Sequence, residues 1–429
     1  MDGKKKVLVY PCGTEIGLEI YRAVSHAKQY ELYGGSSSYD HGRFVYERHI
    51  DNLPFIKDDS NEEEIHLFNQ MIIDHHFDYI YPAMDGVIAV FAKYRCCLDA
   101  VVLAPAYETA AVTRSKEKTY ALLDGVIPLP RIYATPSEVR GFPVFMKPIV
   151  GQGSVGTKLI KDEQALIHSG WEQGKYLLLE YLPGTEYTVD CFTNGSGELI
   201  YARGRGRRRI KNGISVNAVF VEDEMFQVYA KRINAHLQQK GAWFFQLKEA
   251  VDGTLKLLEV ASRIAGASAI TRNIGVNLPL LTLDTFAGFD IDDVAVNGYR
   301  IEMDRALENR YKVDLSYQTV YVDYDDTVVH DGLVDQLVMR FLWQCVNRGK
   351  KLVLLTKHEG DLAADLREHR LGQMFDEVIH LQQTDNKAEY VKAERAIFID
   401  DSYGERQQVH RKCGIPVFDI PMLECLLSE

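Results

Sequence analysis

Residues 142–160 read FPVFMKPIVGQGSVGTKLI, in which an apolar segment ending at Lys147 is followed by a glycine-rich loop and a second apolar segment. The pattern predicts strand, loop and strand. Gly151, Gly153 and Gly156 would let backbone N–H groups approach phosphate oxygens, with the Lys147 ammonium beside them. The loop lacks the Gly-Lys-Ser/Thr of a Walker A motif. Alone, it fits a phosphate loop or a plain hairpin.

The next segment favours a nucleotide site. Residues 176–193, YLLLEYLPGTEYTVDCFT, predict a strand that ends at Glu180, a break at Pro183 and Gly184, and a second strand that starts near Glu186. A hinge between strands can offer backbone N–H and C=O groups to the edge of an adenine ring. The Glu186 carboxylate could then reach ribose hydroxyls.

Residues 242–263, AWFFQLKEAVDGTLKLLEVASR, predict a hairpin that turns at Asp252 and Gly253. In that hairpin Gln246 and Glu259 lie nearly opposite each other. Two oxygen ligands on adjacent strands suit Mg²⁺, which takes few protein ligands and fills its shell with phosphate and water.

The flanking regions predict two further sheets. Strands expected at 6–10, 77–84 and 101–105 alternate with helical patterns, which indicates a parallel α/β sheet. The Gly13–Gly17 turn lacks a full dinucleotide fingerprint, so a packing turn is favoured over a nucleotide site. Residues 113–300 look α+β, 306–318 form a polar linker, and 319–429 restart an α/β alternation.

The order of features over about residues 5–300 resembles the ATP-grasp superfamily, especially its carbamoyl-phosphate synthase-like branch. The resemblance implies a Rossmann-like pre-ATP-grasp domain at 1–112, an ATP-grasp domain at 113–305, and ATP with Mg²⁺ (or Mn²⁺) as cofactors. It assigns nucleotide binding to Lys116, Lys147, Gly151, Gly153, Ser154, Gly156, Glu180, Tyr181, Leu182 and Glu186, metal binding to Gln246 and Glu259, and phosphate binding to Arg263.

One departure from the family pattern concerns the second metal. The family usually has Glu-x-Asn-x-Arg where this chain has Glu259-Val260-Ala261-Ser262-Arg263, so alanine stands at the asparagine position. Alanine cannot ligate a metal, which leaves Ser262 as a weak substitute or a single metal as sufficient. The departure bears on ligase turnover rather than on nucleotide binding.

An arginine-rich stretch, ARGRGRRRIKNG at 202–213, lies beside the expected site. Guanidinium groups suit carboxylates and phosphates because their planar fork matches two oxygens. If the stretch is extended, Arg203, Arg207 and Arg209 share a face; the alternative is a solvated loop. Arg272 is expected, from its position alone, to face the acceptor substrate.

A second acidic constellation opens the C-terminal region. VYVDYDDTVV at 320–329 predicts a strand that ends in carboxylates, with Asp323 and Asp325 on one side. Such close carboxylates repel unless a cation or proton intervenes. They suit a Mg²⁺-assisted aspartyl nucleophile with a neighbouring acid/base.

Further along, KLVLLT predicts a strand that ends at Thr356, Lys387 begins a helical pattern, and AIFIDD predicts a strand that ends at Asp400 and Asp401. With the Asp-x-Asp-x-Thr at 323–327, this order over about residues 318–420 resembles the haloacid dehalogenase (HAD) superfamily. The resemblance implies a Rossmannoid fold, and the stretch between Thr327 and Thr356 is too short for a large cap. It assigns the nucleophile to Asp323, the acid/base to Asp325, phosphate binding to Thr356 and Lys387, and metal binding to Asp323, Asp325, Asp400 and Asp401. The alternative is that this domain has lost phosphohydrolase activity and is retained only for its packing against the rest of the protein.

The amino-acid composition bears on the kinds of partner that the protein binds and on its cellular compartment. Lys and Arg total 49 against 61 Asp and Glu, for a net charge of -12, which argues against general nucleic-acid or membrane-surface binding. The 7 cysteines are scattered without a CxxC pair, which fits a reducing cytoplasm. No long apolar stretch predicts a membrane span. A homodimer is compatible with the sequence.

Three functional hypotheses follow. The first is an ATP-dependent carboxylate–amine (or related) ligase that forms an acyl phosphate, fused to a HAD-type phosphatase. Its substrates would be a small carboxylate, an amine and, for the phosphatase, a phosphorylated intermediate. The second is a HAD phosphohydrolase whose ATP-grasp region binds ATP without ligating. The third is a nucleotide-sensing interaction module with neither activity.

Overall fold

The computed structural model describes residues 3–151, 153, 155–211, 214–306 and 309–427. The chain divides into two compact units. The first comprises Met1–Tyr21, Gln29–Ser268 and Leu278–Asp292, and the second comprises Arg22–Lys28, Ala269–Asn277 and Asp293–Glu429. No helix among the described residues is long and apolar enough to cross a membrane.

The N-terminal sheet of the first unit is parallel, with strand order β3-β2-β1-β4-β5. The three strands predicted by sequence are present as β1, β4 and β5, although β5 is short. The strands are β1 (Lys5–Tyr10), β2 (Tyr30–Gly35), β3 (His49–Ile50), β4 (Tyr79–Pro82) and β5 (Val101–Val102), and the helices are α1 (Glu15–Val24), α2 (Gly42–Val45), α3 (Glu62–His75), α4 (Asp85–Lys93) and α5 (Tyr107–Arg114).

The Gly13–Gly17 turn packs α1 tightly onto β1. A β-carbon at Gly17 would lie 2.3 Å from the Cys12 carbonyl oxygen, so only glycine fits there. Ser36 lies nearby and connects Cys12 (3.1 Å) with Asp40 (2.8 Å) through its hydroxyl. The tight contact supports the packing interpretation of this turn.

Two antiparallel sheets follow in the first unit. A small sheet has the order β6-β9-β7-β8, and a larger sheet runs β14-β13-β10-β11-β12. Trp243 and Phe245 are buried with α8 in the core of the larger sheet, as expected of strand aromatics. The elements are α6 (Lys116–Leu123), β6 (Ile132–Tyr133), β7 (Val144–Pro148), β8 (Lys158–Ile160), α7 (Glu163–Ile167), β9 (Tyr176–Glu180), β10 (Glu186–Thr193), β11 (Leu199–Lys211), β12 (Ile214–Val221), α8 (Glu224–Leu237), β13 (Gly241–Glu249) and β14 (Leu255–Ala261).

The second unit contains a parallel sheet of order β21-β20-β17-β22-β23, an antiparallel pair β15-β16 and a short pair β18-β19. Its central strands are apolar and buried, as their sequences predict. The remaining elements are α9 (Ala269–Arg272), α10 (Leu278–Phe286, in the first unit), β15 (Ile301–Arg305), β16 (Asn309–Val313), β17 (Thr319–Val322), β18 (Val329–His330), β19 (Leu333–Val334), α11 (Gln336–Asn347), β20 (Lys351–Thr356), α12 (Leu362–Glu368), β21 (Glu377–His380), β22 (Ala396–Ile399), α13 (Tyr403–Cys413) and β23 (Val417–Phe418). Short 3₁₀ helices span Arg95–Cys97, Pro136–Glu138, Lys387–Glu389 and Ile420–Cys425.

Candidate functional site

The β13–β14 hairpin turns at Asp252 and Gly253, as predicted, and Gly253 adopts a φ of +82° that favours glycine. Gln246 lies directly opposite Glu259 in the strand register. Because facing residues leave the same side of a sheet, an amide oxygen and a carboxylate are brought together there. The pair can supply two oxygen ligands to Mg²⁺.

Lys147 lies at the end of β7 with its ammonium out of solvent. Its Nζ donates to the Tyr120 hydroxyl and to the Leu258 carbonyl, each at 2.8 Å. Among the described residues no carboxylate forms an ion pair with it. Burial, helped by the nearby Lys116, lowers the pKa of Lys147 to about 7. A phosphate placed here would supply the missing anion.

Lys116 connects the glycine loop with the metal-ligand pair. Its Nζ donates to the Gly151 carbonyl at 3.1 Å and lies 3.7 Å from the Glu259 carboxylate. Lys116 begins α6, directly after the N-cap Ser115, whose hydroxyl accepts from a backbone N–H of the first turn. Gly156 has a φ of +75°. Ser154, the remaining predicted loop contact, lies outside the described residues.

The predicted adenine and ribose residues lie on β9, β10 and the hinge between them. Leu182 is buried, whereas Tyr181 is half-buried. Glu180 contacts Lys256, and Glu186 contacts Arg207. Of this group, Glu186 lines the same cavity as Lys147.

The arginine stretch forms much of β11, so its side chains alternate between the two faces. Arg207 lines the site, but Arg203 pairs with the exposed Glu222, and Arg209 is exposed. The strand register shifts between Arg207 and Arg209, which interrupts the alternation on which the prediction depended. Of the three predicted arginines, the structure brings Arg207 to the described cavities.

Arg205, which the prediction passed over, lies in the wall of the site. Its Nε and Nη2 donate to the Asp190 carboxylate at 2.9 Å and 3.4 Å, and both side chains are 1% exposed. Such buried pairs hold a guanidinium in one orientation.

Arg263 is held by Asp85, at the start of α4, through two hydrogen bonds of 2.8 Å. Burial alone would raise the pKa of Asp85, but the Arg263 guanidinium outweighs it and lowers that pKa. Arg272 belongs to the second unit, where it donates to the Pro421 carbonyl and to Glu424 at 2.8 Å and 2.6 Å. Its described contacts are structural, so the predicted acceptor role has no support from them.

Two cavities of the first unit meet at shared residues. The first, about 130 Å³, holds Lys116, Lys147 and the glycine loop, and the second, about 220 Å³, reaches Thr14, Met84 and Arg263. The residues common to both are Gly153, Arg207, Gln246 and Glu259. The predicted metal ligands therefore stand at the junction between a lysine-lined cavity and an arginine-lined one.

The second unit gathers its acidic motifs at the carboxyl ends of β17 and β22. Lys387 lies between Asp323 (2.7 Å) and Asp400 (2.6 Å). Carboxylate oxygens of Asp323, Asp400 and Asp401 lie within 4.8 Å of one another. Burial and the neighbouring carboxylates raise the pKa of Asp400 to about 8 and that of Asp401 to about 6. Such a set fits a divalent cation, which would favour the ionised carboxylates.

Thr356 forms a side-chain hydrogen bond with Asp323, whereas Asp325, also predicted as a metal ligand, is not part of the group of three carboxylates. The Asp325 side chain points to His358, whose Nδ1 lies 2.8 Å from a carboxylate oxygen. Thr356 is fully buried, and its hydroxyl accepts from the His358 backbone N–H at 3.2 Å. His358 also lies 2.7 Å from Asp365 and was not anticipated from the sequence.

A further cluster of potential metal ligands, Cys12, Asp40 and His49, lies in the N-terminal sheet. Burial raises the pKa of the Cys12 thiol to about 11, so it stays protonated at neutral pH. Metal binding needs the thiolate, and the Ser36 hydroxyl already bonds to each of the three side chains. The cluster is therefore a structural network.

Comparisons with known proteins bear on part of the chain. Residues 172–306 match a family model described as ATP-grasp in the biosynthetic pathway with Ter operon. The chain contains an ATP-grasp domain. No curated protein matches the sequence.

Solved ATP-grasp-like structures agree on the fold. N5-carboxyaminoimidazole synthetase from Staphylococcus aureus, complexed with ADP, has a TM-score of 0.58 at 14% identity, covering 71% of this chain and 83% of that one. An L-amino acid ligase from Bacillus licheniformis has 0.56 at 15%, covering 71% and 80%. The biotin carboxylase domain of Hydrogenobacter thermophilus 2-oxoglutarate carboxylase, with MgADP and bicarbonate, has 0.58 at 15%, covering 71% and 75%. At these identities the likeness establishes the ATP-grasp fold, and chemistry must be argued from the site.

Proposed function

We propose that the protein is an ATP-dependent ligase that activates a carboxylate as an acyl phosphate and passes the acyl group to an amine or related nucleophile. The observation that carries the proposal is the junction of the two cavities. A triphosphate in the cavity with Lys147 would direct its terminal phosphate toward Gln246 and Glu259, and an acceptor in the other cavity would meet it there.

The chemistry of each side chain suggests which part of MgATP it would bind. Lys147 and Lys116 would neutralise phosphate charge, and backbone N–H groups of the glycine loop would hold phosphate oxygens. Glu180, Tyr181 and Leu182 would border adenine, and Glu186 would reach the ribose. Gln246 and Glu259 would hold Mg²⁺, which would supply positive charge to neutralise the phosphates. Positioning and charge neutralisation supply most of the catalysis in such transfers.

The experiment is ADP release from MgATP in the presence of a panel of small carboxylates and amines. We expect release that depends on a carboxylate and that falls at least a hundredfold in Lys147→Met, because the mutant lacks the buried one of the two lysines that would neutralise phosphate charge (about 3 kcal/mol). The exposed Lys175, which pairs with Glu172, offers a matched control in Lys175→Met. ADP release unchanged in Lys147→Met would contradict the proposal.

We further propose that the second unit is a HAD-type phosphohydrolase without a large cap. Asp323 would be the nucleophile, Asp325 the acid/base, and Asp400 and Asp401 would join Asp323 around Mg²⁺. Support comes from the close approach of the three carboxylates and from Lys387 between two of them. Hydrolysis of an aryl phosphate should require Mg²⁺ and vanish in Asp323→Asn.

One observation favours the second candidate function, a phosphohydrolase with an ATP-binding but ligase-impaired ATP-grasp region. Ala261 stands where a second metal ligand is usual, and the neighbouring Ser262 hydroxyl already shares a hydrogen bond of 3.1 Å with Thr113. MgATP binding without ADP release for any carboxylate, together with aryl phosphate hydrolysis, would select this candidate over the ligase.

A further inference from the structure

Arg205 lines the 220 Å³ cavity and has a buried donor that no described residue uses. Arg205 turns Nε and Nη2 toward Asp190, and Nη1 is buried without a hydrogen-bond partner among the described residues. An unsatisfied N–H of a buried guanidinium is costly, so such groups usually meet a partner. Arg205 lines the cavity, so a cavity occupant is the natural partner for Nη1.

The other walls of the cavity define the occupant. Its volume equals about seven water molecules at roughly 30 Å³ each, which suits a small molecule. Apolar side chains line it beside the arginines, including Ile16, Met84 and Phe244. Carboxylates match a guanidinium donor better than neutral groups do. A carboxylic acid with a short carbon chain suits this lining, because its carboxylate can pair with a guanidinium and its carbon chain can contact the apolar side chains.

We propose that Arg205 is the specificity-determining residue for the acceptor, a small aliphatic carboxylic acid whose carboxylate accepts a hydrogen bond from Nη1. This inference rests on the proposed ligase function and adds the acceptor class to it. Asp190 acts as a positioning residue, because its carboxylate fixes the guanidinium so that Nη1 faces away from the pair. Arg207 and the metal-ligand pair stand at the junction where the nucleotide cavity begins.

The test pairs each acid with its uncharged isostere. ADP release from MgATP, in the presence of a fixed panel of amines that consume the acyl phosphate, is measured with acetate, propionate, glycine, L-alanine and L-leucine, and with the matching primary amides. At least one acid should stimulate release, and its amide should not. In Arg205→Lys, which keeps a positive charge but lacks the planar fork, the KM for that acid should rise about 10- to 100-fold while the KM for ATP stays unchanged.

Controls separate binding from folding. Arg208→Met removes an exposed charge from the same strand and should leave both KM values unchanged. If Arg205→Lys melts early, Asp190→Leu/Arg205→Met removes both partners and leaves no buried unpaired charge. That double variant should bind MgATP normally and lose stimulation by the acid.

The possible negative results distinguish the role proposed for Arg205 from the proposed ligase function. Equal stimulation by acids and amides, or an unchanged KM for the acid in Arg205→Lys, would overturn the inference and leave the ligase proposal standing. Binding of MgATP with no stimulation by any of the five acids would overturn it as well. A wild-type protein that binds no MgATP would defeat the ligase proposal and this inference together.

Discussion

Binding of MgATP should draw a proton onto Lys147. The ammonium is buried, and its pKa is lowered to about 7, so at pH 8 the group is about nine-tenths neutral in the free protein. A triphosphate beside Nζ favours the charged form and raises this pKa again. Binding at pH 8 should therefore take up about 0.9 proton, against about 0.5 at pH 7.

The sign of the pH dependence follows from the same shift. Because the bound state holds more protons than the free state, the affinity for MgATP should be nearly flat below about pH 6 and should fall as the pH rises through the pKa of Lys147 at about 7. The expected loss is about fivefold between pH 7 and pH 8, where the fraction of charged Lys147 drops from about one-half to about one-tenth. The nucleotide's own phosphates are already ionised at pH 8 and contribute little.

Calorimetry in two buffers measures this uptake. The heat of MgATP binding at pH 8 should differ between HEPES and Tris, because each buffer releases its proton with a different enthalpy. Lys147→Arg keeps a cation that stays charged at this pH, so its heat should not depend on the buffer. Equal heats for wild type in both buffers, or the same buffer dependence in Lys147→Arg, would refute the assignment of a neutral Lys147.

Three further predictions concern stability, each measured by urea denaturation. Asp85→Asn should cost about 2 kcal/mol at pH 7, because it leaves the Arg263 guanidinium unpaired. The cost should shrink as the pH falls below 3.8, because Asp85 of the unfolded wild-type chain then takes up a proton, whereas folded Asp85, whose pKa is lowered, stays ionised to a lower pH; an equal cost at pH 3 and pH 7 would contradict the ion pair. Leu257→Ala should cost about 2–5 kcal/mol, since Leu257 is fully buried in the core cluster that also contains residues of α6 and α8, and a cost under 1 kcal/mol would be inconsistent with that core. Lys387→Met should cost about 3–5 kcal/mol without Mg²⁺, because two buried carboxylates lose their shared cation, and unchanged stability would argue against the cluster.

Local patterns in the sequence predicted those features that depend on neighbouring residues. The Asp252–Gly253 turn fixes the hairpin register, and that register brings Gln246 opposite Glu259. The apolar runs at 6–10 and 320–322 are buried strands because each is continuous and bounded by turn residues. For the same reason, Asp323 was placed at the end of its strand.

Features that depend on distant contacts were missed. Nothing near Asp85 in the sequence indicates that it holds Arg263, since the two meet only when separate elements pack together. Nothing near Arg205 in the sequence indicates its ion pair with Asp190, which lies on the preceding strand. The register shift after Arg207 likewise interrupts the alternation that grouped Arg209 with Arg203 and Arg207. The predicted linear domains likewise could not anticipate that Arg22–Lys28 groups with the C-terminal unit.

The proposed ligase would transfer the terminal phosphate of ATP to a carboxylate oxygen. The most direct measurement follows ¹⁸O from a labelled carboxylic acid that supports ADP release in the presence of an amine. An acyl-phosphate route predicts one ¹⁸O atom in each molecule of inorganic phosphate formed. Inorganic phosphate that stays unlabelled while ADP accumulates would contradict the account.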